Sequence, residues 1–280
     1  MDICIYCKEP NVEPSAEHVI ADAVGGCIVL QAKDCCEPCN GVFDREIDRA
    51  VQNDLRPILA QLVIPGKRGT TTRWTVTEIV DGEERRFDVS SNEIRPAEAR
   101  KLLGRTGEAY HFRATSREEL ERARAQIHAR NPGRAVEIGQ VVERTPRLPG
   151  DRLDDVDFSP HHWTRWAAKT CLNVVCYALG GDVALRPEFD DLRDLGCGMS
   201  ALVPAGLAYG GIGGEKEEVD AIPREHRVSI RADSTGIRVC VTLFQFCGFA
   251  FARPMADLPR LERMIVMDAA AKHVVADERR

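Results

Sequence analysis

Two pairs of cysteines have the spacing that metal chemistry requires. Cys4-Ile-Tyr-Cys7 and Cys36-Glu-Pro-Cys39 each place two residues between their thiols. Two such pairs can present four thiolates tetrahedrally to one zinc ion, and a segment this small buries too little apolar surface to hold its shape without one. We therefore predict structural zinc on these four cysteines. Cys35 could replace Cys36, although it would break the spacing of the second pair.

Oxygen and nitrogen ligands lie between and just after the cysteine pairs. Glu17 and His18 precede a short apolar strand, Asn40 directly follows the last cysteine, and Asp44 lies one helical turn later. If the strand packs against the start of the helix, these side chains share one cleft. Three oxygen ligands with open positions suit Mg²⁺ or Mn²⁺, which would then bind a phosphate. In the alternative interpretation Asn40 caps the helix and Asp48, one turn further, is a solvated acid.

Short elements must position these residues. The Gly25-Gly26 turn and the apolar runs beside it favour a small β-hairpin over residues 1–40. From Asn40 the apolar positions recur every three or four residues as far as Pro65, which predicts one helix, or two if Pro57 breaks it.

The rest of the chain predicts further strands and helices. Alternating segments favour strands at 73–80 and 86–89, which flank an Asp81-Gly82 turn and predict a hairpin. Further strands are predicted at 109–114 and 135–142, and residues 227–230 and 237–251 predict a buried hairpin or strand pair. Helices are predicted at 116–130, 163–179 and 187–195, with a linker at 146–158 and a glycine-rich loop at 198–224. The fold class is therefore α+β, with a module at 1–64 followed by a larger α+β domain at 65–280.

Composition limits the classes of function. The 280 residues are 44% hydrophobic and carry a net charge of −6, and residues 1–50 hold four Lys or Arg against ten Asp or Glu. This balance argues against a generally basic nucleic-acid binder, although a divalent metal can offset the carboxylates. No apolar run reaches the roughly 18 residues of a membrane span and no secretory signal is recognisable, so we expect a cytoplasmic protein without membrane contacts.

The motifs together resemble the HNH endonuclease superfamily, in particular its treble-clef branch. The resemblance is carried by the two cysteine pairs, Glu17-His18, Gly25-Gly26 and Asn40. It implies a zinc-bound treble clef (ββα-metal) in which His18 is the general base, assisted by Glu17 and Asn40. It also implies a catalytic Mg²⁺ or Mn²⁺ on Glu17, Asn40 and Asp44. Gln31 stands where the family often has an asparagine that hydrogen-bonds the loop carrying the histidine.

For function, the resemblance implies metal-dependent hydrolysis of phosphodiester bonds in DNA, by nicking or by double-strand cleavage, and a role in bacterial genome defence or a mobile element. RNA is a further candidate substrate. We expect residues 65–280 to position DNA or to form a homodimer or bind a partner protein. The alternative is a zinc-binding interaction module without catalysis. The first candidates for phosphate contacts are basic residues in and just after the module: Arg45, Arg49, Arg56, Lys67 and Arg68.

Overall fold

The computed structural model describes most of the chain. The described residues are 2–66, 72, 74–80, 83–90, 93–96, 101–106, 109–113, 117–130, 160–211, 223–245 and 247–279. The chain divides into two compact units, Met1–Thr72 with Val156–Arg280, and Arg73–Asp155. The predicted division, a module at 1–64 followed by a domain at 65–280, stays a prediction. Within the first unit, the C-terminal part of the chain packs onto the N-terminal module.

The N-terminal module is built from turns, isolated bridges and short helices. His18 pairs antiparallel with Val29, flanked by hydrogen bonds from Val19 N to Ile28 O and from Leu30 N to Glu17 O, both 2.8 Å. The helical part comprises α1 (Glu37–Phe43), a π-helical segment (Asp44–Asp48), α2 (Arg49–Asp54) and α3 (Arg56–Gln61). Pro57 lies at the start of α3, so of the two alternatives left open by the sequence, the structure has the break at this proline. The treble-clef assignment stays a prediction.

A long helix, α5 (Pro160–Leu179), forms the centre of the first unit. Fourteen of its residues, Trp163 to Cys176, are buried. A helix buried around its whole circumference must pack on several sides. One side meets the π-helical segment and α2, and another meets a β-sheet, where the rings of Trp166 and Phe249 lie 5.5 Å apart. Helix α5 thus joins the module to the sheet.

That sheet has six antiparallel strands. In chain order they are β6 (Leu207–Gly211), β7 (Glu225–Asp233), β8 (Gly236–Leu243), β9 (Cys247–Pro254), β10 (Leu261–Asp268) and β11 (His273–Arg279). Across the sheet the order is β11-β10-β7-β8-β9-β6. Alternate residues of β7 and β8 are buried, which gives the sheet one face toward the core. Two short helices, α6 (Gly181–Ala184) and α7 (Asp190–Gly196), follow α5.

The described residues of the second unit form two small antiparallel sheets and one helix. One sheet has the order β1 (Trp74–Val80), β2 (Glu83–Ser90) and β3 (Glu93–Pro96), and the other pairs β4 (Lys101–Thr106) with β5 (Ala109–Arg113). Its helix is α4 (Arg117–Arg130). The predicted hairpin of strands 73–80 and 86–89, the strand at 109–114 and the helix at 116–130 are confirmed. The predicted strand at 135–142 and linker at 146–158 lie outside the described residues.

Two predictions for the C-terminal part were wrong in detail. The segment 198–224 was expected to be a loop, yet β6 lies within it and pairs with β9, because the glycines of an edge strand resemble loop sequence. Residues 227–230 and 237–251 were expected to form a hairpin or strand pair, and they do pair as β7 and β8. The apolar run at 237–251, however, holds two strands, β8 and β9. Its turn uses Phe244 and Gln245, both at positive φ, instead of the usual asparagine and glycine.

No helix in the described ranges is both long and apolar enough to cross a bilayer.

A buried histidine where the sheet meets the module predicts loss of stability in acid. His226 of β7 is fully buried, with Nε2 2.8 Å from the Val24 carbonyl oxygen and no hydrogen-bond partner for Nδ1. Burial lowers the pKa of His226 to about 4. The stability that depends on a neutral His226 is therefore fully present above the pKa of the unfolded state, near 6.5, and is lost as the pH falls toward 4. We expect the free energy of unfolding to fall by roughly 3 kcal/mol over this interval, measured by urea denaturation.

The control for this prediction is the exposed His161. The pH dependence should become shallower in His226→Gln and should be unchanged in His161→Gln. An equal acid sensitivity in wild type and His226→Gln would contradict the prediction.

Candidate functional site: a cysteine cluster beside a buried charged cluster

Four thiols converge at the N-terminus of α1. Cys36 is the N-cap residue of this helix and Cys39 lies in its first turn, while Cys4 and Cys7 come from the opening turn of the chain. Their sulfur atoms all lie within 4.8 Å of one another, and Cys7 Sγ is 3.8 Å from Cys36 Sγ. The four cysteines predicted from the spacing are therefore brought together.

This arrangement fits zinc. Zinc–sulfur bonds of 2.3 Å in a tetrahedron place neighbouring sulfur atoms about 3.8 Å apart. Cys35 is buried but does not belong to the group of four, and its thiol donates to the Cys36 carbonyl oxygen at 3.5 Å. A zinc ion bound here would hold the turn that contains Cys4 and Cys7 to the start of α1.

His18 occupies the bridged strand segment beside the cysteine cluster. Its side chain is half-buried, whereas its neighbours Glu17 and Val19 are buried. Successive residues of an extended chain point to opposite sides, so His18 faces away from the interior that encloses Glu17. Burial lowers the pKa of His18, and the charge of Asp22 opposes this effect. The neutral imidazole that a general base requires is thereby favoured near neutral pH.

Asn40 connects α1 to the segment that precedes His18. Its Nδ2 donates to Ser15 Oγ at 2.8 Å and to the Ala16 carbonyl oxygen at 3.0 Å. The residue thus contacts the two residues that directly precede the Glu17-His18 pair. Its amide nitrogen holds the backbone just before His18. A metal-binding role for its amide oxygen stays a prediction.

Glu17 faces the interior and has a cationic partner. Only 3% of the residue is exposed, and its Oε1 lies 2.7 Å from the ammonium nitrogen of Lys169 on α5. Asn173, one turn further along α5, donates to the same oxygen at 3.2 Å. Burial raises the pKa of Glu17, and the charge of Lys169 opposes that rise.

The two predicted aspartates lie in the π-helical segment. Asp44 begins it and is half-buried. Asp48 ends it and is buried, with its carboxylate 2.8 Å from Lys169 Nζ and accepting from Trp166 Nε1 at 3.1 Å. Asp48 was expected to be solvated, and the structure corrects this because α5 covers it.

Glu17 does not fit the predicted Mg²⁺ or Mn²⁺ site as the structure stands. An ammonium group already lies against its carboxylate, in a position closed to solvent. Within the part of the chain that the structure describes, the four cysteines are the only group of three or more Cys, His, Asp or Glu side chains whose ligand atoms lie so close together. Asn40 and Asp44 remain predicted ligands.

The basic residues predicted for phosphate contacts are partly described. Arg45, Arg49 and Arg56 are all exposed on the helical part of the module. Arg56 donates to Asn53 Oδ1 at 2.7 Å. Lys67 and Arg68 lie outside the described residues.

Sequence reasoning missed two residues of this region, Lys169 and Asn173. Asn173 donates to the backbone oxygen of His18 at 2.9 Å and accepts from the Tyr6 hydroxyl. This is the role that the sequence assigned to Gln31, whose side chain is exposed. A signal was present in the sequence: a lysine and an asparagine spaced four residues apart, as on one face of a largely apolar helix, require buried partners.

Together, the fold and the cluster define a small module that contains four convergent cysteines and a half-buried histidine. Residues 4–56 match the family model described as HNH endonuclease, which confirms the resemblance predicted from the motifs. This match supports nuclease activity at the level of the family. No curated protein and no solved structure matches the chain.

Proposed function

We propose that the N-terminal module is an endonuclease that hydrolyses phosphodiester bonds in DNA, with His18 as the general base. The observation that carries the proposal is the family match over residues 4–56. The half-buried imidazole of His18 supports it, because its lowered pKa leaves a nitrogen able to accept a proton near neutral pH.

In the proposed reaction, water attacks the phosphorus atom and gives a proton to the imidazole of His18. The bond from phosphorus to the leaving oxygen breaks, that oxygen takes a proton from solvent water, and the imidazolium of His18 returns its proton to solvent. Asn40 holds the backbone before His18, and Asn173 holds the His18 carbonyl oxygen. Positioning of the base in this way contributes to rate because proton transfer requires a fixed geometry. The exposed Arg45, Arg49 and Arg56 would contact phosphates.

His18→Ala is expected to lower the rate of plasmid cleavage by about 100-fold or more, the usual contribution of a general base. The assay follows conversion of supercoiled DNA to nicked and linear forms with Mg²⁺ or Mn²⁺, and both metals are compared with chelator. His161→Ala, which changes an exposed histidine of α5, is the matched control and should cleave normally. Zinc content should stay at one ion per chain in both variants, and undiminished cleavage by His18→Ala would remove His18 from the mechanism.

A second candidate function is a zinc-binding interaction module without catalysis. The observation that favours it is the engagement of Glu17 by Lys169, which leaves a predicted metal ligand buried and paired. Wild-type protein that retains one zinc per chain but cleaves neither DNA nor RNA would support this alternative. Cleavage of RNA but not of DNA would change the assigned substrate from DNA to RNA and leave the nuclease assignment in place. The roles of residues 65–280 in DNA positioning or assembly, and of the protein in genome defence, stay predictions.

A further inference from the structure

A buried charged cluster lies beneath His18 and is shared by two distant parts of the chain. Lys169 of α5 places its ammonium nitrogen 2.7 Å from Glu17 Oε1, and 2.9 and 2.8 Å from the two carboxylate oxygens of Asp48. Lys169 is 1% exposed, and its two partners are also buried. We call these three residues the buried triad. The three N–H groups of the ammonium are matched by three carboxylate oxygens.

The buried triad fixes the protonation of its lysine. Burial lowers the pKa of Lys169, but the charges of Asp48 and Glu17 outweigh this effect and raise it above the ordinary value. The ammonium therefore stays charged. A buried charge persists only where it is paired and hydrogen-bonded, as it is here. The arrangement is thus a built feature of the interior and not a chance surface pair.

The same cluster reaches the backbone of His18. Asn173 donates to both Glu17 Oε1 and the His18 carbonyl oxygen, at 3.2 and 2.9 Å, and accepts from the hydroxyl of Tyr6. Lys169 and Asn173 lie one turn apart on α5, so a single rigid element holds both Glu17 and His18. Any movement of Glu17 toward the His18 side of the strand would break these contacts.

We propose that Lys169 is the resident cation of the Glu17 carboxylate, in the place of a divalent metal, and that Glu17 is a positioning residue for His18. A metal ion bound at Glu17 would lie beside the ammonium and be repelled by it. The role assigned to His18 rests on the proposed function, whereas the assignment of Glu17 to Lys169 does not.

A Mn²⁺ titration of the full, zinc-loaded chain tests the proposal. Binding of Mn²⁺ alone is followed by electron paramagnetic resonance in wild type, Glu17→Gln and Asp44→Asn. Glu17→Gln keeps the shape of the side chain and removes its charge. We expect its Mn²⁺ dissociation constant to stay within about twofold of wild type, because Glu17 is not a ligand. A weakening of about tenfold or more in Glu17→Gln would overturn the proposal, since it would show that Mn²⁺ displaces Lys169.

Asp44→Asn separates this proposal from the proposed function. Weaker Mn²⁺ binding in Asp44→Asn, with unchanged binding in Glu17→Gln, supports both. Absence of Mn²⁺ binding and of metal-dependent cleavage in wild type would contradict a metal-dependent nuclease, while it would agree with Lys169 as the resident cation.

A thermal measurement tests the triad itself. Lys169→Met leaves two buried carboxylates without a cation, so we expect Tm to fall by about 10 °C or more. Arg165→Met is the matched control, since Arg165 is a buried cation one turn earlier on α5. Its carboxylate partner, Glu46, lies 3.2 Å away and is exposed to solvent. The Tm of this control should fall by less than half as much. Equal shifts in the two variants would contradict a special role for the triad.

A kinetic measurement tests the positioning role. Glu17→Gln should lower kcat for cleavage by about tenfold and leave KM unchanged, because the base is misplaced while the DNA contacts remain. Cleavage by Glu17→Gln with wild-type kcat would contradict positioning.

Discussion

Cys39→Ser is expected to abolish zinc binding and to unfold the N-terminal module. Its sulfur belongs to the group of four whose ligand atoms lie within 4.8 Å of one another. Structural zinc contributes about 10–16 kcal/mol to small modules at neutral pH, far more than the apolar contacts of so few residues can supply. Zinc per chain, measured by mass spectrometry of the metal, should fall from one to near zero. Protease should then cleave residues 2–66 first.

Cys27→Ser is the matched control for this change. Cys27 lies in the same module and is half-buried but is outside the group of four. It should retain one zinc per chain. The choice between Cys35 and Cys36 is tested in the same way, and zinc loss in Cys35→Ser with retention in Cys36→Ser would contradict the ligand set seen here.

Gly26→Ala is expected to lower the free energy of unfolding by about 4 kcal/mol or more, among the largest effects of single substitutions. A Cβ at this position would lie 1.8 Å from the Ile20 carbonyl oxygen and 2.5 Å from its carbon. These are backbone atoms two residues beyond His18, so they cannot move aside as a flexible side chain can. Urea denaturation of the full chain measures the loss.

Gly180→Ala provides the comparison. Gly180 has φ of 95° and ψ of 160°, but no atom of the described residues lies within 4 Å of an added Cβ. The cost there is backbone strain alone, about 1–3 kcal/mol. If Gly26→Ala were no less stable than Gly180→Ala, the close approach of Gly26 to Ile20 would be contradicted.

Short sequence patterns predicted the structural features that depend on residues close together in the chain. The cysteine spacing identified the zinc ligands because each pair of thiols is presented by one short turn. The apolar run at 163–179 predicted α5, which begins three residues earlier, at Pro160. The Asp81-Gly82 dipeptide indicated the hairpin of β1 and β2.

Long-range pairing could not be predicted in this way. Asp48 and Lys169 are 121 residues apart, and Glu17 and Asn173 are 156 apart. The motif placed Glu17 in the cleft with His18, whereas the alternation of an extended chain turns the two side chains to opposite sides. Only the position of α5 shows what Glu17 contacts. Strand β11 was also missed, because exposed residues on both of its faces leave no apolar alternation to detect.

The pairing of Lys169 with Glu17 and Asp48 also has a consequence for folding during synthesis. Glu17 and Asp48 leave the ribosome well before Lys169 has been added to the chain. Their carboxylates must stay hydrated until α5 arrives, since burial without a counter-charge is too costly. The N-terminal module therefore completes its fold only when the C-terminal half of the first unit has been synthesised. A fragment that ends at residue 66 would lack the ammonium that Glu17 and Asp48 share.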